Sequence, residues 1–559
     1  MSTEDTPGAA GGADESFDEI TLGIYWDKLA SFCDQMVNDL VRTAISPIIR
    51  ESYDLSTLIC DKHGNQVAQS TFTIPVFTKS MSEAASTIAE EYDEDSLQPG
   101  DVLISNDPWK PTTTHEYDMA MFRPIFVDGD LIGFTGTMAH LSDIGGNRFS
   151  PWAESNYEEG LTLPFTKLMR GGELNQELLD IVGANVRNPE EVISDIKACL
   201  FAHHTGSSLV TDFVEEADVD FQALCDQIVE TARSSFVEEI REMPNGEYEE
   251  EMTVSGVDED LTIAAKMTIE DERIHIDYEG TSPQIDYGLN VPALYAEAFT
   301  QYPIKCVTTP KITANEGDYM AVDVDMPEGS IFNPTKPAPI SARQTLGHYA
   351  SLIVLKLLAE VVPERVPADP GMVSVIQLYG ESTPSEEFSV LHFSTGGFGA
   401  RPTKDGLSAT AAPTNINTAG IEAMEEKTNS LRYHHKRLWT DSGGDGTYRG
   451  GLGEEIEFES TAEGTVQVNL MCNTDTHPPE GLEGGDPGHV LETAVNGEPV
   501  APLGQERLET GDRFTIRDAG GGGYGPPEER SPEAVRADVE KGYITAETAQ
   551  SVYGVDVDE

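Results

Sequence analysis

Apolar residues recur at helical spacing through residues 22–43, where Tyr25, Leu29, Phe32, Met36 and Leu40 fall on one stripe. This predicts an amphipathic helix that Pro47 ends. The stretch LSTLICDKHGNQVAQ reads as a hairpin joined through residues 62–65, and GDVLISNDP as a strand running into a turn. Residues 178–242 carry a mostly helical pattern, including ADVDFQALCDQIVETARSSFVEEI; residues 245–280 read as strands (EYEEEMTVSG, LTIAAKMTI, RIHIDYEG); residues 343–362 return to helix. After Val373, strands alternate with glycine-rich loops up to GGGGYGPP. Ser531-Pro532-Glu533 then opens a short helical tail, a serine cap followed by proline at the first helical position.

At 559 residues the chain is too long for one core of about 100–200 residues. The pattern predicts a multidomain α+β protein with mixed helices and antiparallel sheets and a β- and glycine-rich C-terminal half. Its expected divisions are a disordered acidic tail at 1–16, a metal-site domain at 17–244, a mixed β/α domain at 245–372, a β- and glycine-rich domain at 373–530, and a helical tail at 531–559. No internal repeat stands out.

Val127-Asp128-Gly129-Asp130 is the strongest hairpin signal, since Asp-Gly suits a tight type I′ turn. Around it, residues 114–146 read THEYDMAMFRPIFVDGDLIGFTGTMAHLSDIGG, bracketed by two His-x-x-Asp units, His115/Asp118 and His140/Asp143. Counting back from the turn puts Asp118 opposite Ala139, one step from His140. His115, Asp118 and His140 therefore converge at one end of the hairpin, with Asp143 nearby. In strict alternation, however, His140 shares a face with Tyr117 and not with Asp118. Either a bulge shifts the register, or pairing ends early and the loops re-aim these side chains. Two histidines and a carboxylate form a ligand set for a catalytic divalent metal, with positions left open for water or substrate. The plainer reading is strand-end histidines and turn aspartates.

The charge changes the picture of the surface. Against 35 Lys+Arg stand 99 Asp+Glu, a formal net charge of −64 spread along the whole chain. That balance fits a halophilic protein of a salt-rich cytoplasm, where carboxylates keep the surface hydrated and salt screens their repulsion. It offers phosphates no basic stripe, so nucleic-acid binding is not expected. The longest apolar runs, such as LIVLKLLAEVV at 352–362, break well before the ~20 residues a bilayer requires, so no membrane role is expected. The opening MSTEDTPGAAGGADESFDE lacks the basic and apolar regions of a signal peptide, and a cytoplasmic location follows. Six scattered cysteines without C-x-x-C argue against a zinc ribbon or redox pair.

Other motifs carry less. The glycines at 520–523 lack a Walker lysine, since the chain contains no Gly-Lys pair, and read as a flexible turn or close backbone packing. Asp441-Ser442-Gly443-Gly444 has no placed histidine to make Ser442 a nucleophile. The adjacent pairs His203-His204 and His434-His435 point apart on any regular element, so surface or packing roles are expected.

These blocks together resemble the hydantoinase B/oxoprolinase family, which includes the B subunits of ATP-dependent N-methylhydantoinases and the related metal-binding subunits of acetone and acetophenone carboxylases. RTAISPIIRESYDLSTLICDKHGNQVAQ is similar to the family's N-terminal block, and NDPWKPTTTHEYDM, PIFVDGDLIGF and AHLSDIGG to its central signature. YEEGLTLPFTKLMRGGELNQELLDIVGANVR, EGTSPQIDYGLN, GGFGARPTKDG, DSGGDGTYRGGLG and GGGGYGPPEERSPEAV follow in the family's order. The resemblance implies one divalent metal, zinc, manganese or iron, held by His115, Asp118 and His140. Asp54 of SYDLS is a further candidate ligand. It casts Asp143 and Glu51 as supporting or acid/base groups, with Asn106 and Asp107 shaping the turn that aims the ligand loop.

The resemblance also implies a hetero-oligomer with a hydantoinase A-like, actin-like subunit that binds ATP, and a small-molecule cyclic amide or ketone as substrate. The expected function is the metal-binding catalytic subunit of an ATP-dependent cyclic-amide hydrolase. Alternatives are the corresponding subunit of a ketone carboxylase, or a non-catalytic scaffold. Two departures bear on specificity. The family's H-I-P-V-H-L-G reads Thr73-Ile74-Pro75-Val76-Phe77-Thr78-Lys79 here, without either histidine, and its L-G-G-T-H loop reads KPTTTH.

Overall fold

The computed structural model describes residues 16–557 apart from 93, 111, 384–385 and 473–475. The acidic tail expected at 1–16 lies, but for its last residue, outside the described residues. Helix α1 (Glu19–Thr43) starts where the Asp18 carboxylate accepts the Ile20 and Thr21 amides, both at 3.1 Å, and ends at the extended Ala44. Pro47 opens the one-turn α2 (Pro47–Arg50). The expected stripe is buried at Leu29, Phe32, Met36 and Leu40, and α1 packs along α5 (Pro189–Ala217).

A seven-stranded antiparallel sheet organises the first half of the chain. Its strands are β1 (Leu55–Asp61), β2 (Gln66–Gln69), β3 (Val102–Ser105), β4 (Asp118–Val127), β5 (Asp130–His140), β6 (Thr166–Arg170) and β7 (Glu173–Leu174), in the order β2-β1-β5-β4-β3-β6-β7. Two helical layers enclose it. Thr135 and Thr137 of β5 point toward α5, whereas Met138 points toward α3 (Pro75–Glu91), where the Ser80 hydroxyl lies 3.9 Å from its sulfur. Sheet side chains alternate in this way, so each β5 position is committed to one layer.

The chain continues through α4 (Gln176–Asn185), α5 and α6 (Phe221–Arg241) into a four-stranded sheet. There β8 (Gly246–Val254), β9 (Leu261–Glu270) and β10 (Arg273–Asp277) are antiparallel, and β11 (Val322–Asp325) runs parallel to β10. Between them lie α7 (Ala293–Thr308) and the short α8 (Glu316–Tyr319); α9 (Gln344–Val361) follows and packs on α7 and this sheet. Strands β12 (Val373–Thr383) and β13 (Glu386–Thr395) form a sheet with Val466–Met471 and Leu503–Leu508. A five-stranded sheet holds Leu431–Leu438, Glu454–Ser460 and Arg513–Arg517. The architecture is the expected α+β arrangement. One large apolar cluster nevertheless runs from Met36 to Met471, so the core crosses the divisions expected at 244/245 and 372/373.

The glycines at 520–523 serve close backbone packing. Their successive amides donate to His489, Gly451, Asp369 and Asp486, at 3.1, 3.0, 2.9 and 2.9 Å. The first and fourth meet the same neighbouring segment, a three-residue repeat like that of an extended three-fold helix. A Cβ on Gly520 would come within 1.8 Å of the Ser442 carbonyl oxygen, and one on Gly522 within 2.0 Å of that of Glu480. Only glycine lets these chains approach.

Candidate metal centre

The hairpin turn is as expected, with positive φ at Asp128 (51°) and Gly129 (95°). Val127 pairs with Asp130 and Phe126 with Leu131, but Ile125 then pairs with Gly133, leaving Ile132 as one extra residue in β5. This is the bulge that the sequence left open, and it places Asp118 directly opposite His140. On the other side of β5, Leu55 pairs with Ala139, and the His140 amide donates to the Asp54 carbonyl at 3.0 Å. Asp54, His140 and Asp118 thus form a row across three adjacent strands, at the end of the sheet face that α3 covers.

His115 reaches the row from the loop before β4. Asn106 anchors that loop: its amide group donates to the Glu116 carbonyl at 2.6 Å, and its oxygen accepts the Leu163 amide at 2.6 Å. His115 Nδ1 lies 3.1 Å from the Ser341 carbonyl oxygen. A carbonyl only accepts, so Nδ1 carries the proton and Nε2 presents a lone pair. The Glu159 carboxylate in turn accepts the Ile340 and Ser341 amides at 2.7 and 2.6 Å, fixing the peptide that sets this tautomer.

Asp118 divides its two oxygens. Oδ2 accepts from Arg343 Nη2 at 2.8 Å and from the Thr114 hydroxyl at 3.2 Å. Oδ1 lies 3.1 Å from His115 Nε2, but the two are not aligned as donor and acceptor. Arg343, at the start of α9, also donates to Thr114 at 2.9 Å and lies over the Tyr295 ring. Burial alone would raise the Asp118 pKa; His115 and Arg343 outweigh it and hold the carboxyl well below the usual range. Burial lowers both histidines, reinforced by Arg343 at His115 and by His115 at His140. Two neutral imidazoles and an ionised carboxylate are the protonation states in which these groups ligate metals. Asp54 is pushed up by burial and by the Asp118 charge.

Three atoms fit an ion. His115 Nε2, Asp118 Oδ1 and His140 Nδ1 are all buried without a hydrogen-bond partner, and one ligand atom from each residue lies within 4.8 Å of the others. Groups so placed are costly to leave unpaired unless something else satisfies them. Asp54 lies outside that cluster but lines the same cavity of about 60 Å³, whose lining also includes Val76, Phe77, Val375 and Phe393. Phe77, one of the two positions where the resemblance leads one to expect a histidine, adds an apolar ring to that lining.

Neither carboxylate offered for acid/base work faces the cavity. The Asp143 carboxylate pairs with the Arg187 guanidinium at 2.7 Å and accepts the Gly145 amide at 3.1 Å, which braces the loop after β5. Glu51 follows α2 with its side chain exposed. The Ser442 hydroxyl donates to the Trp439 carbonyl and accepts the Gly453 amide, as a buried structural group. Sequence reasoning missed Arg343 and Glu159. A lone arginine inside the apolar run before α9 was the one available signal for the first.

The profile of the hydantoinase B/oxoprolinase family matches residues 18–527. The putative D-/L-hydantoinase B component of Pseudomonas sp. (strain NS671) is 28% identical over 573 residues, covering 97% of this chain and 96% of its own. Among solved structures, the ATP-dependent caprolactamase of Pseudomonas jessenii superposes with a TM-score of 0.86 at 24% identity, covering 97% of both chains. Nucleotide-free acetone carboxylase superposes with a TM-score of 0.85 at 22% identity, covering 96% of this chain and 79% of its own.

Proposed function

Because the chain belongs to the hydantoinase B/oxoprolinase family, we propose that it is the metal-binding catalytic subunit of an ATP-dependent enzyme that opens a cyclic amide. Its partner is a hydantoinase A-like subunit that uses the ATP. The observation that carries the reading is the convergence of three unpartnered donor atoms, on His115, Asp118 and His140, in one buried cavity. These residues hold one divalent ion, with Asp54 as a further ligand. When bound, the ion supplies Lewis-acid polarisation of a carbonyl or activation of a water.

The chain's own groups prepare that site. Arg343 keeps Asp118 ionised and oriented through Oδ2, leaving Oδ1 free. The Ser341 carbonyl, held by Glu159, keeps the His115 proton on Nδ1. Tyr117 stacks on the His140 ring at 5.2 Å, and Phe149 meets His115 edge-on at 5.6 Å, which limits ring rotation and excludes water. Asp143 braces the loop behind His140, and Glu51 stands exposed after α2, away from the cavity lining.

The test is elemental analysis of the protein purified with its partner in high salt, beside His115→Ala, followed by ring-opening assays. One metal per chain that the variant loses, with ATP-dependent opening of a hydantoin, 5-oxoproline or a small lactam, is the expected result. Absence of metal from both proteins overturns the metal assignment. Product formed only from a ketone and bicarbonate replaces the hydrolase by the carboxylase.

A further inference from the structure

Gln344 and His348 stand one turn apart on α9, so they share a helix face, and both line the cavity that holds the His115–Asp118–His140 cluster. Their side chains are 7% and 1% exposed. All four of their polar atoms, Gln344 Oε1 and Nε2 and His348 Nδ1 and Nε2, are buried without a hydrogen-bond partner. By contrast, the buried His203 has both ring nitrogens within reach of threonine hydroxyls, and His392 has Nδ1 beside the Tyr433 hydroxyl with only Nε2 unpartnered. Four unpartnered atoms on one wall of a cavity call for a guest with hydrogen-bonding groups of its own.

The chemistry of the pair narrows that guest. Burial and Arg343 push the His348 imidazole down to about 3, so it is neutral, with one donor and one acceptor nitrogen. The Gln344 carboxamide presents an acceptor beside a donor. A ring amide is held cis, so its C=O and N–H lie side by side on one edge and meet both atoms of a carboxamide together. An open-chain amide is trans and points the two groups apart. Phe77, Val375, Phe393 and Ile416 supply an apolar surface for ring methylenes.

We propose that Gln344 binds the cis-amide edge of the substrate ring by paired hydrogen bonds, and that His348 makes a further polar contact to it from the same helix face. This rests on the cyclic-amide reading above and adds the residues that select the ring.

The experiment measures binding of 2-pyrrolidinone, N-methyl-2-pyrrolidinone and cyclopentanone to the full chain in high salt, with and without manganese, by ligand-observed NMR. Metal content is recorded separately. 2-Pyrrolidinone is expected to bind about ten-fold or more tightly than its N-methyl analogue, which lacks the donor. Gln344→Leu should abolish that preference, and His348→Phe should weaken binding several-fold, with metal content unchanged in both. Equal affinity for the three ligands, no binding of any, or a preference that survives in folded Gln344→Leu overturns the inference. Should Gln344→Leu fail to fold, the wild-type comparison and His348→Phe decide it. A Gln344-dependent preference in a chain that takes up no metal keeps this inference and removes the metal assignment.

Discussion

On the α5 side of the seven-stranded sheet, His203 has its two ring nitrogens 2.9 and 3.0 Å from the hydroxyls of Thr135 and Thr137. On the α3 side, His115 and His140 each keep a ring nitrogen with no partner. Burial does not separate them, for the three side chains are 0%, 0% and 4% exposed. Nor does the direction of their pKa shifts, which is downward for all three, with burial the leading cause. What differs is whether the surrounding side chains complete the hydrogen bonds. His203 is paired by its own layer, whereas these two are aimed, with Asp118, at a common point. The search for a site inside a packed protein is therefore a search for unanswered polar atoms, not for buried ones.

The largest expected break in this comparison comes from His140→Ala, which should lower metal affinity by more than about 100-fold, beyond the usual range for losing an outer-shell partner. Metal content after dialysis, with circular dichroism to confirm folding, checks it; retained metal would return His140 to the class of His203. Removing the ion from the wild type is the next effect. Chelation should reduce stability by about 4 kcal/mol when metal had stood at about a thousand times its dissociation constant, and should leave His140→Ala unmoved in the same thermal scan.

His203→Ala tests the other side of the sheet. It opens a cavity and strands two buried threonine hydroxyls, so denaturant titration should show a loss of about 2–4 kcal/mol. Metal uptake should be unaffected, and any loss of it would mean that the two sides are not independent. The smallest effect is expected from Glu159→Gln, which weakens the grip on the Ile340–Ser341 peptide. A roughly ten-fold fall in metal affinity, read by competition with a chelating dye, would place Glu159 behind the His115 tautomer. No change would mean that Ser341 is held well enough by the rest of its loop.

The same contrast explains which features were legible in the chain. Helix α1, the β1–β2 hairpin, α9 and the tail helix capped by Ser531 all follow periodicity and capping residues, which act over a few positions. Helices α3 and α7 were missed. Each buries polar residues beside its apolar ones, Thr78, Lys79 and Ser82 in the first and Thr300, Gln301 and Lys305 in the second, so no stripe stands out. Lys305 is tolerated because Asp318, on the separate helix α8, pairs with it at 2.8 Å. The glycine run at 520–523 showed that it lacked a phosphate-binding lysine, but not that three other segments would close around it.

Residue order by itself determined the tight Asp128-Gly129 turn, the two-stranded ribbon around it and the arrival of His115, Asp118 and His140 at one end, because a hairpin is a local object whose turn brings its ends together. It determined the family as well, through ordered blocks along nearly the whole chain. Tertiary structure decided the rest. The extra residue at Ile132 rotates Asp118 onto the His140 face; Arg343 and Ser341, more than 200 positions away, settle the charge of one ligand and the tautomer of another; and Arg187 draws Asp143 aside. Such contacts depend on packing between distant segments, and no local pattern encodes them.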